Sequence, residues 1–327
     1  MSIKSDIIAI LEQNRDNPTS GEAIANQLEV SRAYVWKTIK KLKEEGYKIE
    51  ATQNRGYILS SNNDIISIEG IQPFLLPQYQ DLSIEVYKSI DSTNTEAKKR
   101  AVSFASHGSV IISEEQTAGR GRRGRSFFSP KGLGIYMSFI LRPDVNSQDS
   151  VLITTATSVA VSRAIEKVTG IKCQIKWVND LYYQNKKVCG ILTEAVSNFE
   201  TGEIDSIILG IGVNFCFDTD TLPNDLKDIA GSLYTTKPES VTRNMLCAHI
   251  INEVMTICDH LNERVFLTEY KEKSMVLGKM VYVIGQDDKV PALAMDLDSS
   301  GGLIVRFESG EVKTLNSGEI SIRPINK

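Results

Sequence analysis

The spacing of apolar residues changes character twice along this chain, and no single packed layer satisfies all three patterns. In residues 1–62 apolar side chains recur at helical intervals, as in Ile7, Ile8 and Leu11, or Val35, Ile39 and Leu42. Residues 65–275 mix such stretches with strand-like runs. From Gly278 onward only short strand-like runs and turns remain: GKMVYVIG, VPALAMDLD, GGLIVRFES and EVKTL. We therefore expect three units, at 1–62, 65–275 and 276–327, in a 327-residue chain built at about 100–200 residues per domain. The last unit, about 50 residues long, reads as a small β-barrel too short to stand alone and docked on the middle unit.

The first unit has the order helix, tight turn, helix, hairpin. Thr19 with Glu22 has the capping-box pattern, opening a short helix that would bury Ala23, Ile24 and Leu28. Ser31 is the natural N-cap of the next helix, which runs to about Glu45 and stops at Gly46. Tyr47–Ala51 and Tyr57–Ser60 then pair across Thr52-Gln53-Asn54-Arg55-Gly56, and Asn63-Asp64 begins a linker. This is the pattern of a winged helix-turn-helix. From Ser31 to Lys43 there are five basic residues and no acidic one. Ser31, Arg32, Tyr34 and Lys37 stand where a recognition helix meets base edges, Lys40 continues the basic run, and Arg55 at the hairpin tip suits a phosphate or minor-groove contact. A protein-interaction domain with a solvated basic face is the alternative. Helix spacing, basic polarity and wing together favour DNA.

In the middle unit, Val110–Gln116, Gly134–Leu141, Ile171–Trp177, Val188–Val196 and Ile204–Val213 are strand candidates. Thr93–Ala101, Ser150–Val168 and Val241–Asn262 are helix candidates. Hairpin-length turns at Asn185-Lys186 and Thr201-Gly202 predict a mixed, mostly antiparallel α+β sheet rather than a parallel βαβ array.

Composition narrows the class. The chain is 41% hydrophobic and 24% charged with 9 prolines, an ordinary globular balance that excludes a largely disordered chain. No run approaches the roughly 18–20 apolar residues of a membrane span. MSIKSDIIAILEQNRDN turns charged too early for a signal peptide, so a cytoplasmic protein without membrane association is expected. The five cysteines, Cys173, Cys189, Cys216, Cys247 and Cys258, form no CxxC pair and read as buried free thiols. His107, His249 and His260 lack metal-ligand spacing and read as surface or satisfied groups. A net charge of −4 excludes wholesale coating of nucleic acid and leaves room for a local basic patch.

Four segments carry chemistry. Gly119-Arg120-Gly121-Arg122-Arg123-Gly124-Arg125 is formally a GxGxxG, but a dinucleotide fold needs a helix to open here, and Ser126-Phe127-Phe128-Ser129-Pro130-Lys131-Gly132 is loop-like. Four arginines on a glycine-rich hinge repel one another, so this loop is expected to be mobile until it closes over a phosphate or carboxylate. A basic surface loop is the plainer alternative. Lys176-Trp177-Val178-Asn179-Asp180 and Lys187-Val188-Cys189-Gly190-Ile191-Leu192-Thr193-Glu194 offer a lysine, an amide and a carboxylate at a strand end, suited to a nucleotide and its metal ion or equally to a satisfied hairpin turn. In Asp91-Ser92-Thr93-Asn94, Thr93 with Glu96 also fits a simple helix cap.

The ordered set DSTN (91–94), EEQTAGRGRRGR (114–125), KWVND (176–180), KVCGILTE (187–194) and GIGVN (210–214) resembles the biotin protein ligases. With the winged helix-turn-helix in front, the whole chain is similar to the bifunctional biotin operon repressor–ligases. The resemblance implies a class II synthetase-like central sheet and an SH3-like C-terminal barrel. It implies that biotin and ATP form biotinyl-5′-adenylate and that biotin passes to a lysine of the carrier domain of acetyl-CoA or pyruvate carboxylase. Carried onto this sequence, Ser92, Thr93, Asn94 and Gln116 bind the ureido and tail groups of biotin. Arg120, Gly121 and Arg122 lie at the carboxylate and phosphate, and Lys187 contacts the biotin carboxyl or the adenylate. Lys176, Asn179, Asp180, Asn214, Arg125 and Phe127 fall on the ATP side, with Mg near Asp180. Lys187, Arg122 and Asp180 are the catalytic candidates. Two positions depart from the family pattern: Val178 stands where proline is usual, and Phe127 where an aromatic, often tryptophan, covers the adenine.

A lipoate or octanoyl transferase would share the central fold but is expected to lack both the arginine loop and the front unit. A sensor that binds biotin without activating it is opposed by intact Lys187, Asp180 and the arginine loop. The resemblance further implies operator DNA of biotin genes as a partner and a homodimer of the adenylate-bound form.

Overall fold

The computed structural model describes residues 2–52, 55–142, 150–197, 204–284, 289–316 and 319–321. The N-terminal unit holds α1 (Ile3–Gln13), α2 (Gly21–Gln27), α3 (Arg32–Glu44) and the hairpin β1 (Ile49–Thr52) and β2 (Gly56–Leu59). Ser31 caps α3 as expected, accepting from the Tyr34 amide at 3.2 Å. The cap of α2 is Ser20, not Thr19, and accepts from the Ala23 amide at 2.9 Å. Thr19 instead exchanges backbone hydrogen bonds with Tyr57 and ties the hairpin to the helices. That one-residue shift turns Ala23 outward and buries Ile24 and Ala25. This unit has its own core of Ile7, Leu11, Ile24, Val35, Leu42 and Leu59 among others. Of the predicted hairpin turn, Gln53 and Asn54 lie outside the described residues.

The linker leads through α4 (Ile68–Ile71) into the central unit: β3 (Ile84–Tyr87), α5 (Thr93–Val102), β4 (Ser109–Ser113), β5 (Gly134–Leu141), α6 (Ser150–Thr169), β6 (Gln174–Lys176), β7 (Asp180–Tyr183), β8 (Lys186–Ser197), β9 (Ile204–Asn214), α7 (Arg243–Asp259) and α8 (Phe266–Lys273). The strands form one seven-stranded sheet in the order β3-β4-β5-β9-β8-β7-β6. Only β3 and β4 run parallel. The turn expected at Thr201-Gly202 lies outside the described residues.

Both faces of this sheet are covered, and alternate residues show how. Val110, Ile112, Phe139, Leu141, Leu209 and Ile211 face α6 and α7 in the main core. Ile111, Ile140 and Ile208 face α5 through Ala97 and Ala101. That is why β4 and β5 read as continuous apolar runs.

The C-terminal unit is a five-stranded antiparallel sheet of β10 (Met280–Ile284), β11 (Lys289–Leu297), β12 (Leu303–Phe307), β13 (Val312–Leu315) and β14 (Glu319–Ser321), ordered β13-β12-β11-β10-β14. Its inner residues Val281, Ala292, Ala294, Leu303 and Val305 belong to the same core as the central helices, so the unit is docked.

All five cysteines are free. Cys173, Cys189 and Cys247 are buried, while Cys216 and Cys258 are only half-buried. Burial pushes the Cys173 thiol up to about 12. Among the histidines, His107 Nδ1 accepts from the Arg142 amide at 2.9 Å and His260 pairs with Glu263 at 2.8 Å. His249, on α7, departs from expectation: its Nδ1 is buried with no hydrogen-bond partner among the described residues, and burial together with the Lys167 charge holds its pKa down.

Candidate active site and nucleic-acid interface

The α5 face of the sheet is apolar where the helix covers it and opens into a cavity just beyond the helix N-terminus. Cross-strand partners point to the same side, so Ser138, Gly210 and Leu192 line up there, as do Gly212 and Gly190 one step further on. The glycines make the opening. A Cβ on Gly210 would fall 2.2 Å from Asn94 Oδ1, and one on Gly212 would fall 2.5 Å from the Phe127 ring. The cavity is lined by Ser92, Thr93, Asn94, Gln116, Arg120, Gly121, Arg122, Phe127, Asn179 and Lys187 together with those glycines.

One end of the cavity is a rigid polar network. Ser92, the helix N-cap, makes no side-chain capping bond. The cap is supplied from across the site: Gln116 Oε1 accepts from the Thr93 amide at 2.8 Å and from its hydroxyl at 3.1 Å. Gln116 Nε2 donates to Ser129 at 2.8 Å. Ser138 Oγ lies 2.7 Å from Thr93 Oγ1 and 2.6 Å from Asn94 Oδ1. Asn94 Nδ2 and Lys98 Nζ both donate to Glu194, at 2.8 and 2.7 Å. Burial pushes the Glu194 carboxyl up, but those two hydrogen bonds and the charges of Lys98 and Arg120 outweigh it and hold the group below its ordinary range. Glu194 and Ser138 carried no distinct signal in the sequence. Glu194 ended a recognised segment, and Ser138 was hidden in an apolar strand.

The other end is cationic. The arginine segment forms a tight turn: the Gly121 amide donates to the Arg125 carbonyl at 2.7 Å, and Arg123 sits at φ 55°. The expected mutual repulsion is answered by partners. Arg122 donates to Asn179 Oδ1 at 3.0 Å, and Arg120 lies 3.6 Å from Glu194. Lys187 Nζ lies 2.6 Å from Asp180 Oδ1 across β7 and β8. Gly190 keeps the neighbouring space open, with Lys187 Nζ 3.1 Å from where its Cβ would stand. The cavity thus offers fixed neutral donors and acceptors at one end and paired cations at the other, the arrangement suited to an uncharged polar head carrying an anionic tail.

Four candidates fall outside the cavity lining. Lys176 lies on β6 with Nζ 5.8 Å above the Tyr182 ring. Asn214 spends its amide on the Lys187 and Gly231 carbonyls, at 3.3 and 2.8 Å, and so supports the Lys187 backbone. Arg125 is exposed and contributes its carbonyl to the arginine turn. Asp180 reaches the site through Lys187. The Trp177–Val178 peptide is cis.

On the N-terminal unit, Val35, Thr38, Ile39 and Leu42 turn inward, leaving Ser31, Arg32, Tyr34, Lys37 and Lys40 exposed. A groove between the α2 N-terminus, α3 and the hairpin is lined by Ser20, Arg32, Trp36, Thr52 and Arg55. Trp36 is 59% exposed, with Lys40 Nζ 5.8 Å from its ring. Sequence reasoning passed over it because a lone tryptophan in a helix is ordinarily core.

Residues 86–214 match the profile of the biotin/lipoate A/B protein ligase family, residues 4–58 an HTH domain, and residues 276–323 the biotin protein ligase C-terminal domain. The bifunctional ligase/repressor BirA of Bacillus spizizenii is 32% identical over 98% of this chain and 99% of its own. The chain belongs to the bifunctional BirA ligase/repressor family. The Escherichia coli member is 28% identical over 94% of each chain. Among solved structures, biotin protein ligase from Aquifex aeolicus in complex with biotin and ATP is similar at 30% identity with a TM-score of 0.60, covering 73% of this chain and 97% of that one. The BirA-family match spans all three units, front unit included.

Proposed function

We propose that this chain joins biotin to ATP as biotinyl-5′-adenylate, transfers the biotinyl group to a carrier-domain lysine of acetyl-CoA or pyruvate carboxylase, and represses biotin genes. The observation that carries the reading is the cavity itself, in which the network of buried Ser92, Thr93 and Asn94 with half-buried Gln116 stands opposite Arg122 and Lys187. The neutral network suits the ureido group of biotin, which has donors and acceptors but no charge. The cations suit its carboxylate and the α-phosphate. A carboxylate oxygen attacks the α-phosphorus and pyrophosphate leaves. The carrier lysine amine then attacks the acyl carbon and AMP leaves. Arg122 and Lys187 stabilise charge that grows on the phosphoryl oxygens, and the network holds the carboxylate in line. Phe127, seated over Gly190 and Gly212, offers a ring face for the adenine.

Among the described residues no group of three or more His, Cys, Asp or Glu is placed to hold a metal ion. The donors present fit a magnesium ion that arrives with the nucleotide, whose phosphates supply most ligands, with Asp180 the carboxylate at hand. When bound, that ion would neutralise phosphate charge.

The exposed basic face of α3 and Arg55 on the hairpin supply the operator-binding surface. A homodimer formed through the central units would present two such surfaces to two half-sites. We place the protein in the cytoplasm with its two partners, the carboxylase carrier and the chromosome.

Biotin-dependent ATP–pyrophosphate exchange tests the first step, and streptavidin detection of a carrier domain tests the second. A gel shift on DNA upstream of biotin genes, with and without biotin plus ATP, tests repression. Biotin binding without exchange would overturn the ligase reading in favour of a sensor.

A further inference from the structure

The Trp177 indole N–H donates to the Gly301 carbonyl at 3.0 Å, a buried bond between the central and C-terminal units across 124 residues of sequence. The residues directly after Trp177 build the cationic end of the site. Asn179 takes Arg122 on its Oδ1 and is itself locked to β8, with Nδ2 donating to the Ile191 carbonyl and its own carbonyl accepting from the Ile191 amide, both at 2.9 Å. Asp180 takes Lys187. Between Trp177 and Asn179, the Val178 carbonyl lies 3.3 Å from both Ser158 of α6 and Tyr270 of α8.

The acceptor is equally fixed. Asp298 Oδ1 accepts from the Ser300 and Gly302 amides, each at 2.8 Å, and its carbonyl takes the Gly301 amide at 3.1 Å. Gly301 has φ +80°, and a Cβ there would stand 2.8 Å from Thr155 Oγ1 on α6, so the turn is pressed against the helix. An unbroken series of hydrogen bonds and one peptide stretch therefore runs from Asp298 through Gly301 and Trp177 to Asn179 and Arg122.

We propose that Trp177 is a positioning residue through which the Gly301 carbonyl sets the aim of Arg122 and Lys187. Asp298 is the outer anchor of the same brace. This rests on the ligase reading and deepens it. A tryptophan buried for volume alone would need an acceptor for its N–H somewhere. Here the acceptor belongs to another unit and the next residues carry the site, so the bond orients as well as satisfies.

The test uses the full chain and biotin-dependent ATP–pyrophosphate exchange, with ATP and biotin varied separately. Trp177→Phe keeps a ring and loses the N–H; Asp298→Ala loosens the turn without touching the cavity. Both should lower kcat/KM for ATP on the order of tenfold with a smaller rise in the KM for biotin, whose head group is held by the Ser92–Gln116 network on other elements. In an Asn179→Ala background Trp177→Phe should cost less than it does alone, the remainder passing through Asp180 and Lys187. Wild-type ATP dependence in both variants, equal losses for ATP and biotin, or full additivity with Asn179→Ala would each overturn the proposal. If Trp177→Phe does not fold, Asp298→Ala carries the comparison. A wild-type chain without exchange overturns the ligase reading and this proposal together; wild-type exchange beside silent variants overturns this proposal alone.

Discussion

Arg243 and Asp64 form a buried ion pair, with Nε 3.0 Å from Oδ2, that fastens the linker behind the N-terminal unit to the first turn of α7. The same guanidinium reaches Glu114 at 2.8 Å and the Gly134 carbonyl at 3.1 Å, and Glu114 in turn accepts from the Ile66 amide at 2.7 Å. All three charged side chains are under a tenth exposed. Removing the cation would strand the buried Glu114 and leave Asp64 with Lys237 alone, 3.6 Å away. Arg243→Leu should therefore cost about 3–5 kcal/mol, read by urea unfolding, whereas a surface pair such as Lys99–Glu96 should cost about 0–1 kcal/mol. A loss under about 1 kcal/mol at Arg243 would show that the triad is relaxed or hydrated.

Lys187→Ala should reduce adenylate formation by about 10²–10³ in kcat, the usual effect of losing one preorganised donor, with little change in melting temperature. Arg122→Gly should instead shorten retention of the adenylate, since it breaks the Asn179 contact and removes a phosphate donor. Rapid quench and filter-binding release assays separate the two. Normal exchange in Lys187→Ala would take that residue out of the reaction.

Glu194 makes the site acid-sensitive in a definite direction. Its folded pKa lies below the unfolded value despite burial, because Asn94, Lys98 and Arg120 favour the charged form. The stability this contributes is present above the ordinary glutamate pKa and is lost as pH falls through the lower folded value. Thermal unfolding of wild type and Glu194→Gln should converge as pH is lowered across that window. A constant gap would mean that the carboxylate does not gain from its partners.

Arg32→Ala and Lys37→Glu should weaken operator binding and leave ligation intact, because they lie on a unit with a separate core. Binding should fall steeply with salt, and Arg32→Ala should reduce the slope of log K against log salt by about 1 if that side chain neutralises one phosphate. Fluorescence anisotropy over a salt series reads both. Parallel loss of ligation would show that the units are not independent.

Biotin plus ATP should shift the protein toward dimer and raise operator affinity. The adenylate phosphate gives the arginine turn additional partners, and ordering that turn before association lowers the entropy lost on dimerising. Two tethered helix-turn-helix units then gain avidity on two half-sites. Sedimentation velocity with and without the substrates is the measurement. An unchanged monomer–dimer balance with unchanged operator affinity would remove the coupling and leave the ligase reading intact.

The division of this chain into a helical front, a mixed centre and an all-β end was legible in apolar spacing, because helix and strand periodicities are local properties. Strand β5 was read with its observed bounds, and Ser31 as a cap, for the same reason. Short elements whose burial comes from distant neighbours were not legible: β3, β7, β14, α4 and α8 are each eight residues or fewer. The cavity-facing motifs were visible as residue types that are costly unless used, such as four arginines within seven positions.

Their partners had no such signal. Ser138, Gly190, Gly212 and Glu194 acquire meaning only when β5, β8 and β9 pair in register and bring alternate residues onto one face. Asp64, Glu114 and Arg243 look like scattered surface charges until folding closes 179 residues of chain between the first and last of them. Sequence alone determined which local structures form and which chemical groups are present. Tertiary structure decided which of those groups share a cavity or a buried pair, because strand register and long-range packing bring together residues whose separation along the chain carries no local trace.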